Sequence, residues 1–310
     1  MNVVELKNVS KRFDSFVAVK DLSFEVRQGT IFGLLGPNGA GKTTTIRMIV
    51  NIFAPDDGDV LVMGRHMTAD LQSSIGYLPE ERGLYKKMAI GAQLEFFASL
   101  KGLDPKQAAR RADEWLARLE LSDWKNKKSQ ELSKGMQQKV QFIATVIHEP
   151  ELLILDEPFS GLDPVSVNLL KGIILDLKKQ GKTIIFSTHQ MEQVEQMCDD
   201  ICLINHATKV LGGSLREVKR RFGRNTVIID YEGPDDFLSD SLVKRVNRFA
   251  NYSEIVLGEA ADAQELLKRA IASGARVNRF EMVEPSLNEI FIECVTGKSQ
   301  AAKQPAEIGV

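Results

Sequence analysis

Nine consecutive residues have the composition of a phosphate-binding loop. They are Gly36, Pro37, Asn38, Gly39, Ala40, Gly41, Lys42, Thr43 and Thr44, and they fit the P-loop pattern. Glycines let successive backbone N–H groups point at one anion, and the helix that starts here adds its positive dipole end. Lys42 supplies a cation for terminal phosphates, and the Thr43 hydroxyl can bind Mg²⁺. This segment therefore predicts a site for a nucleoside triphosphate and Mg²⁺.

An apolar run further along the chain ends in two acidic residues. Residues 152–155 are followed by Asp156 and Glu157. When such a strand lies beside a P-loop strand, its first carboxylate reaches the Mg²⁺ shell, and the second can act as a base toward the attacking water. The alternative is an ordinary buried strand with acidic residues at its solvated end. The P-loop upstream favours the catalytic interpretation.

One histidine stands apart from the others. His189 directly follows an apolar and hydroxyl-rich run at 183–188, which is predicted to be a strand. Ligands of open α/β sheets bind at the carboxyl ends of the strands, so we interpret His189 as a ligand-facing residue. The other histidines have no such polar company and are predicted to be surface or core residues: His66, His148 and His206.

Strand and helix patterns alternate over the first two thirds of the chain. Continuous apolar runs at 31–35, 152–155 and 183–186 are typical of strands buried on both faces, and helical patterns separate them. The helix after the P-loop is expected to bury one side as far as Phe53. Residues 86–148 are helical in character. We therefore predict a parallel α/β sheet with a helical insertion.

The pattern changes near residue 215. Three strands are predicted there, at 226–231, 254–257 and 276–282. A helix from Asp262 and a last helix opened by the capping box of Ser286 and Glu289 accompany them. This composition predicts a small α+β domain over 215–296, after a first domain over 1–214. The polar residues 297–310 are expected to form a frayed, disordered tail.

Composition limits the class of protein further. The 310 residues suffice for about two domains. Lys plus Arg (40) nearly balance Asp plus Glu (42), which argues against binding nucleic acid by phosphate neutralisation. No apolar stretch approaches the ~18–20 residues that span a bilayer, and charges interrupt the region where a signal peptide is apolar. We expect a protein that neither crosses a membrane by itself nor is secreted.

Two further motifs complete a set that resembles a known family. Leu132-Ser133-Lys134-Gly135-Met136 precedes the acidic strand, and Ser160-Gly161-Leu162-Asp163 follows it. The order of P-loop, Leu-Ser-x-Gly, Asp-Glu, Ser-Gly-Leu-Asp and His resembles that of the ATP-binding cassette (ABC) proteins, over roughly residues 1–213. The resemblance implies an α/β P-loop NTPase cassette with a helical insertion, here followed by the small α+β domain.

The resemblance implies a role for each residue of the nucleotide site. Phe13 is implied to stack on adenine, with Phe16 as the alternative, and residues 36–44 to hold the phosphates of ATP. Asp156 is implied to support Mg²⁺ together with Thr43. Glu157 resembles the catalytic base, and His189 the residue that contacts the γ-phosphate and steadies the attacking water.

The same resemblance implies that a second copy completes each site. Ser133 and Gly135 correspond to the signature pair that closes on nucleotide held by the other cassette, and Asp163 to the residue that couples the two sites. The family often has Gly-Gly-Gln after Leu-Ser. This chain keeps the serine hydroxyl and the second glycine, and Lys134 either adds positive charge near the ligand or faces water.

Glu80 is the larger departure from the family pattern. It stands after Tyr77-Leu78-Pro79, where the family's Gln loop reaches Mg²⁺ and couples to a membrane partner. A carboxylate can still bind the cation, so Glu80 is predicted as a metal ligand, but it adds negative charge near the phosphates. Residues 79–85 are similar to those of a bacterial branch that serves exporters, including sodium and antibiotic efflux systems.

Together these resemblances imply an ATPase that uses ATP and Mg²⁺, forms a homodimer on ATP, and drives export through a separate membrane permease. It would be peripheral, on the cytoplasmic face of the cell membrane, with no nucleic-acid partner. Four residues of the insertion are candidates for permease contact or for its own core: Tyr85, Met88, Phe96 and Phe97. The alternatives are a soluble ABC ATPase acting on ribosomes or DNA, and a non-hydrolysing module. The C-terminal domain serves either packing and dimer support or regulation.

Overall fold

The computed structural model describes residues 1–81, 83–222, 226–239, 241–258 and 261–296. The chain divides into two compact units, Met1–Leu215 and Arg216–Val310. The first unit carries every motif that predicts nucleotide chemistry, and the second corresponds to the predicted α+β region.

A six-stranded sheet forms the centre of the first unit. Its strands, in spatial order, are β5 (Ile75–Leu78), β6 (Leu152–Asp156), β7 (Thr183–Thr188), β3 (Ile31–Leu35), β8 (Asp200–Asn205) and β9 (Thr208–Ser214). All neighbours pair in parallel except β8 and β9. Every residue of β3, β6 and β7 is buried, as expected of strands covered on both faces. The predicted parallel α/β fold is confirmed.

A three-stranded antiparallel sheet, in the order β2-β1-β4, lies in the same unit. Its strands are β1 (Asn2–Phe13), β2 (Phe16–Arg27) and β4 (Asp57–Val62). A hairpin joins β1 to β2, with Phe13 opposite Phe16 at its end. Ala18, near the start of β2, passes within close backbone distance of Gly41. The hairpin end therefore lies beside the P-loop.

Seven α-helices accompany these sheets in the described part of the first unit. They are α1 (Lys42–Ile49), α2 (Ala69–Ser73), α3 (Ile90–Leu100), α4 (Pro105–Arg118), α5 (Lys134–Val146), α6 (Pro164–Lys179) and α7 (Met191–Met197). Short 3₁₀ turns at Ser122–Trp124 and Ser129–Glu131 link α4 to α5. Helices α3, α4 and α5 lie within the predicted helical insertion. Asp104 begins α4 by accepting hydrogen bonds from the backbone N–H groups of Lys106 and Gln107.

The helix after the P-loop is shorter than the sequence pattern predicts. Helix α1 ends at Ile49, and Asn51 has a left-handed φ of 58° that stops helical hydrogen bonding. Ile52 is consequently exposed rather than buried on the helix face. Phe53 packs its ring against Phe13 instead, with centroids 5.3 Å apart. The prediction of a helical face extending to Phe53 was wrong.

The second unit contains a four-stranded antiparallel sheet in the order β11-β12-β10-β13. Its elements are α8 (Leu215–Arg221), which begins at the unit boundary, β10 (Thr226–Glu232), β11 (Val243–Arg248), β12 (Ser253–Leu257), α9 (Ala263–Ala272), β13 (Arg276–Val283) and α10 (Leu287–Thr296). The Ser286–Glu289 capping box forms as predicted. The expected tail at 297–310 lies outside the described residues. No helix in the described part of the chain is long and apolar enough to cross a membrane.

Candidate nucleotide site

Two glycines set the path of the P-loop between β3 and α1. A Cβ on Gly36 would lie 2.1 Å from the carbonyl oxygen of Ile204, and one on Gly41 would lie 2.4 Å from that of Ala18. Both residues also have positive φ, +152° and +111°. Only glycine fits such close backbone approaches. The loop therefore turns tightly around the amino end of α1, where backbone N–H groups are without helical partners.

Lys42, the first residue of α1, is turned into the loop. Its side chain is only 6% exposed, and its Nζ donates hydrogen bonds to the carbonyl oxygens of Gly36 (2.8 Å) and Pro37 (3.1 Å). The same Nζ lies 3.8 Å from Oε1 of Glu157. Burial lowers the pKa of Lys42, and three carboxylates, those of Glu157, Asp156 and Glu80, partly oppose that shift. The lysine thus lies among the acidic residues that the sequence analysis selected.

Asp156 ends β6 and is completely buried. The hydroxyl of Ser187, on the neighbouring strand β7, donates to Oδ1 of Asp156 and accepts from the backbone N–H of Glu157. Within the described part of the chain, Oδ2 of Asp156 has no hydrogen-bond partner. A buried carboxylate oxygen without a hydrogen-bond partner costs free energy. Carboxylate oxygens are preferred ligands of hard divalent cations. The donor set therefore fits Mg²⁺.

Glu157 and His189 form a pair across β6 and β7. Oε1 of Glu157 lies 3.0 Å from Nδ1 of His189, and the glutamate side chain is 12% exposed. Glu157 also has a left-handed φ of 47°, which costs energy for a residue with a Cβ and is found at functional sites. The structure thus brings together the predicted base and the predicted histidine, with the base also near Lys42.

A cavity of about 360 Å³ opens beside the P-loop. Its lining consists of Phe16, Ala18, Asn38, Gly39, Gly41, Lys42, Thr43, Thr44, Glu80 and Glu157. Pro37 is exposed at the loop surface and Ala40 is buried beneath it. Glu80, on the loop after β5, therefore reaches the same cavity as the P-loop.

The two candidate aromatic residues lie differently with respect to the cavity. Phe16 is 60% exposed and lines the cavity, whereas Phe13 packs edge-on against Phe53 and under Lys11. Because the two residues pair across the hairpin end, the sequence alone could not decide between them. The geometry favours Phe16, which the sequence analysis ranked second.

A residue outside the predicted set holds the Glu80 loop. Gln141 of α5 is buried, and its side-chain amide donates to the carbonyl oxygens of Pro79 (3.4 Å) and Glu81 (3.0 Å). These two acceptors flank Glu80 on both sides. The sequence signal for this contact is a glutamine at an inward-facing position of a helix. This role of Gln141 was not predicted.

The signature residues lie at helix starts, and none of the described residues among them lines the P-loop cavity. Ser133 caps α5 by accepting from the backbone N–H of Met136 at 3.2 Å. Asp163 caps α6, accepting from the backbone N–H groups of Val165 and Ser166 at 3.0 Å. A hydrogen bond from the Ser166 hydroxyl is the main cause that lowers the pKa of Asp163.

Gly135 brings these two helix starts together. A Cβ there would lie 3.2 Å from the carbonyl oxygen of Gly161, in the loop that leads to Asp163. Ser133 and Lys134 are both exposed. The signature segment and the Ser160–Asp163 loop thus form one continuous edge of the first unit, which presents a serine hydroxyl and a helix amino end outward.

Comparison with known proteins agrees with both units. A family model described as ABC transporter matches residues 19–160, and one described as ATP-binding protein DrrA1-3-like, C-terminal domain, matches residues 213–295. The uncharacterised ABC transporter ATP-binding protein YhaQ of Bacillus subtilis is 43% identical over 294 residues, which cover 94% of this chain and 98% of the relative. The linearmycin resistance ATP-binding protein LnrL of the same organism is 31% identical over 313 residues, with 96% and 99% coverage.

A solved structure described as the ATP binding subunit of an ABC transporter has a TM-score of 0.66 and 30% identity, over 71% of this chain and 93% of that one. Fold, motifs and relatives therefore define a P-loop NTPase of the cassette class. The chain belongs to the family of ABC transporter ATP-binding proteins with a DrrA-like C-terminal domain. It is an ATPase that binds adenine nucleotide.

Proposed function

We propose that this chain hydrolyses Mg·ATP in the P-loop cavity, pairs with a second copy of itself, and drives export through a separate membrane permease. The observation that carries the proposal is the contact between Glu157 and His189. Oε1 of the same glutamate lies 3.8 Å from Nζ of Lys42, and the preceding residue, Asp156, has a buried carboxylate oxygen without a partner among the described residues. Such a group has the parts that phosphoryl transfer to water requires: a cation, a base and a metal ligand.

The residues of the cavity divide the work of hydrolysis. Phe16 stacks on the adenine, and backbone N–H groups of the P-loop hold the phosphates. Lys42 exchanges its two carbonyl acceptors for phosphate oxygens and neutralises charge that develops in the transition state. Thr43 and Asp156, together with Glu80, would hold Mg²⁺, and the bound cation would neutralise charge on the phosphates. We infer that this cassette spans 1–214 and the appended domain 215–296, a division supported by family models that match residues 19–160 and 213–295.

Water activation falls to the pair on β6 and β7. Glu157 accepts the proton of the attacking water, because its carboxylate lines the cavity 3.8 Å from Nζ of Lys42. His189 orients Glu157 through the 3.0 Å contact and reaches the γ-phosphate from its exposed side. The strained φ of Glu157 supports this role, since backbone strain is retained where it aims a functional side chain.

A second copy of the chain would complete each site. Ser133 and Gly135 lie on an outward edge away from the cavity of their own chain, so they meet phosphate only if another copy presents it. A serine hydroxyl at a helix amino end is suited to a phosphate oxygen. Asp163, which fixes the adjoining helix start, then links the two sites. Closure on ATP and opening after hydrolysis follow from contact with the γ-phosphate from both sides.

A groove next to the Glu80 loop supports a separate permease as partner. It has a volume of about 420 Å³, and its apolar lining includes the exposed Ile52 and Leu100. Tyr85 stacks on Phe97 nearby, with centroids 6.0 Å apart, and is itself 53% exposed. An exposed apolar surface of this kind is typical of an interaction site. Binding there would hold the chain at the cytoplasmic face of the membrane, and the name of LnrL, a resistance protein, favours export.

Replacement of Glu157 by Gln tests the proposal. The variant should bind ATP, lose at least about 10³-fold in turnover because the base is gone, and shift to a dimer on size exclusion with Mg·ATP. Glu151→Gln is the matched control, because Glu151 is an exposed glutamate just before the opposite end of β6. Normal turnover by Glu157→Gln would contradict the assignment, as would the same loss in both variants.

A further inference from the structure

The P-loop cavity contains more negative than positive charge. Lys42 is the one cationic side chain among the described residues that line it, whereas Glu80 and Glu157 both line it and the buried Asp156 lies behind it. All three carboxylates act electrostatically on Lys42. Their combined charge exceeds that of the lysine, so ATP without a bound cation meets repulsion from the carboxylates, which opposes the attraction of the P-loop N–H groups.

Glu80 is the carboxylate that distinguishes this cavity from the family pattern, which places a neutral amide there. The backbone on both sides of Glu80 is held, because Gln141 donates hydrogen bonds to the carbonyl oxygens of Pro79 and Glu81, while the Glu80 side chain itself is exposed. Gln141 itself is only 5% exposed. Moving this loop away from the cavity would therefore break two part-buried hydrogen bonds, which is costly.

We propose that Glu80 makes ATP binding by this chain conditional on a divalent cation. The inference rests on the proposed Mg·ATP site and adds to it a requirement for the cation during ATP binding. Without metal, the Glu80 carboxylate repels the phosphates. With metal, the same carboxylate joins Asp156, whose Oδ2 has no described partner, as a ligand, so repulsion is exchanged for coordination. Cation and nucleotide then raise each other's affinity by the same factor.

The test is equilibrium binding of a fluorescent ATP analogue to the full chain, with Mg²⁺ and with EDTA. Glu80→Gln should tighten metal-free binding about tenfold, since one repelling charge is removed whose effect is screened because Glu80 is exposed to solvent. Binding with Mg²⁺ should change less than about threefold, because an amide oxygen still ligates. The ratio of the affinity with Mg²⁺ to the affinity with EDTA should therefore be lower in Glu80→Gln than in the wild type.

Two further variants isolate the carboxylate at this position. Glu81→Gln removes the same charge from the next residue, which does not line the cavity in the described structure, and it should leave the ratio unchanged. Glu80→Asp keeps the charge and should keep the ratio high. Equal ratios in wild type and Glu80→Gln, or an equal fall in Glu81→Gln, would overturn the inference and leave the Mg·ATP site standing. If no variant binds nucleotide in either condition, the proposed function itself fails.

Discussion

The P-loop cavity and the signature edge are built in opposite ways. In the cavity, motif side chains contact one another across different elements: Lys42 on α1, Asp156 and Glu157 at the end of β6, and His189 after β7. At the edge, within the part of the chain that the structure describes, the side chains of Ser133 and Asp163 each bond only to the first turn of their own helix. The residues of the cavity contact one another within one chain. The residues of the edge are stabilised locally but do not line the P-loop cavity of their own chain.

That difference explains how two sets of motif residues can serve one reaction. On the proposed function, a preassembled cavity should bind nucleotide as a single chain. An edge whose hydrogen-bonding groups point outward contributes only when a second molecule presents a ligand to it. Variants in the two regions should therefore fail in different ways, the first in binding and the second in turnover.

Lys42→Ala should have the largest effect and should act on binding. Its loss leaves Glu157 and Asp156 without their buried cation and removes the charge nearest the phosphates, so turnover should fall by at least about 10²–10³-fold. Affinity for Mg·ATP, measured with a fluorescent analogue, should fall with it. Lys106→Ala, on the exposed first turn of α4, is the control. Full activity of Lys42→Ala would contradict the assignment of residues 36–44 as the phosphate-binding loop.

Ser133→Ala should have a smaller effect, and on turnover alone. Binding of ATP to the single chain should stay within about twofold, since a change of less than 0.5 kcal/mol is usual for a site that the side chain does not touch. Loss of the cap of α5 should cost about 1 kcal/mol in unfolding free energy. Turnover should fall about 10²-fold, as for removal of one donor to a transition-state oxygen.

Ser133→Asp separates the two roles of this serine. Aspartate caps helices as well as serine does, so the stability measured by thermal unfolding should return to the wild-type value. Its negative charge opposes the phosphate, so turnover should stay low. Recovery of turnover together with stability would mean that Ser133 acts only as a helix cap, and the contrast between cavity and edge would disappear.

Much of the fold could be predicted because the patterns concerned were local. The uninterrupted apolar residues of β3 and β6, the capping box at Ser286 and the aspartate caps of α4 and α9 each depend on a few neighbouring residues. Strand β11 was missed, because its sequence Val-Lys-Arg-Val-Asn-Arg is half basic and does not alternate in hydropathy. The early end of α1 was missed because one left-handed asparagine decides it.

The sequence predicted which residues belong to the candidate site, but it did not predict which of them contact one another. Spacing along the chain selected Lys42, Glu157 and His189, yet their distances follow from the strand order, which places β7 between β6 and β3. The choice between Phe13 and Phe16 depended on which side of a hairpin end faces the cavity. Gln141 and Ser187 act from other elements, each through two hydrogen bonds. The sequence pattern can indicate that such a polar residue faces inward, but it does not show which groups the residue contacts.

Mixing two inactive variants tests the central claim most directly, that each site combines the cavity of one chain with the edge of another. Lys42→Ala and Ser133→Asp should each be nearly inactive alone. In a mixed dimer, the intact cavity of the Ser133→Asp chain faces the intact edge of the Lys42→Ala chain. An equimolar mixture should therefore recover turnover, up to about a quarter of the wild-type value if half of the dimers are mixed and each has one working site. Turnover equal to the mean of the two variants alone would contradict the account.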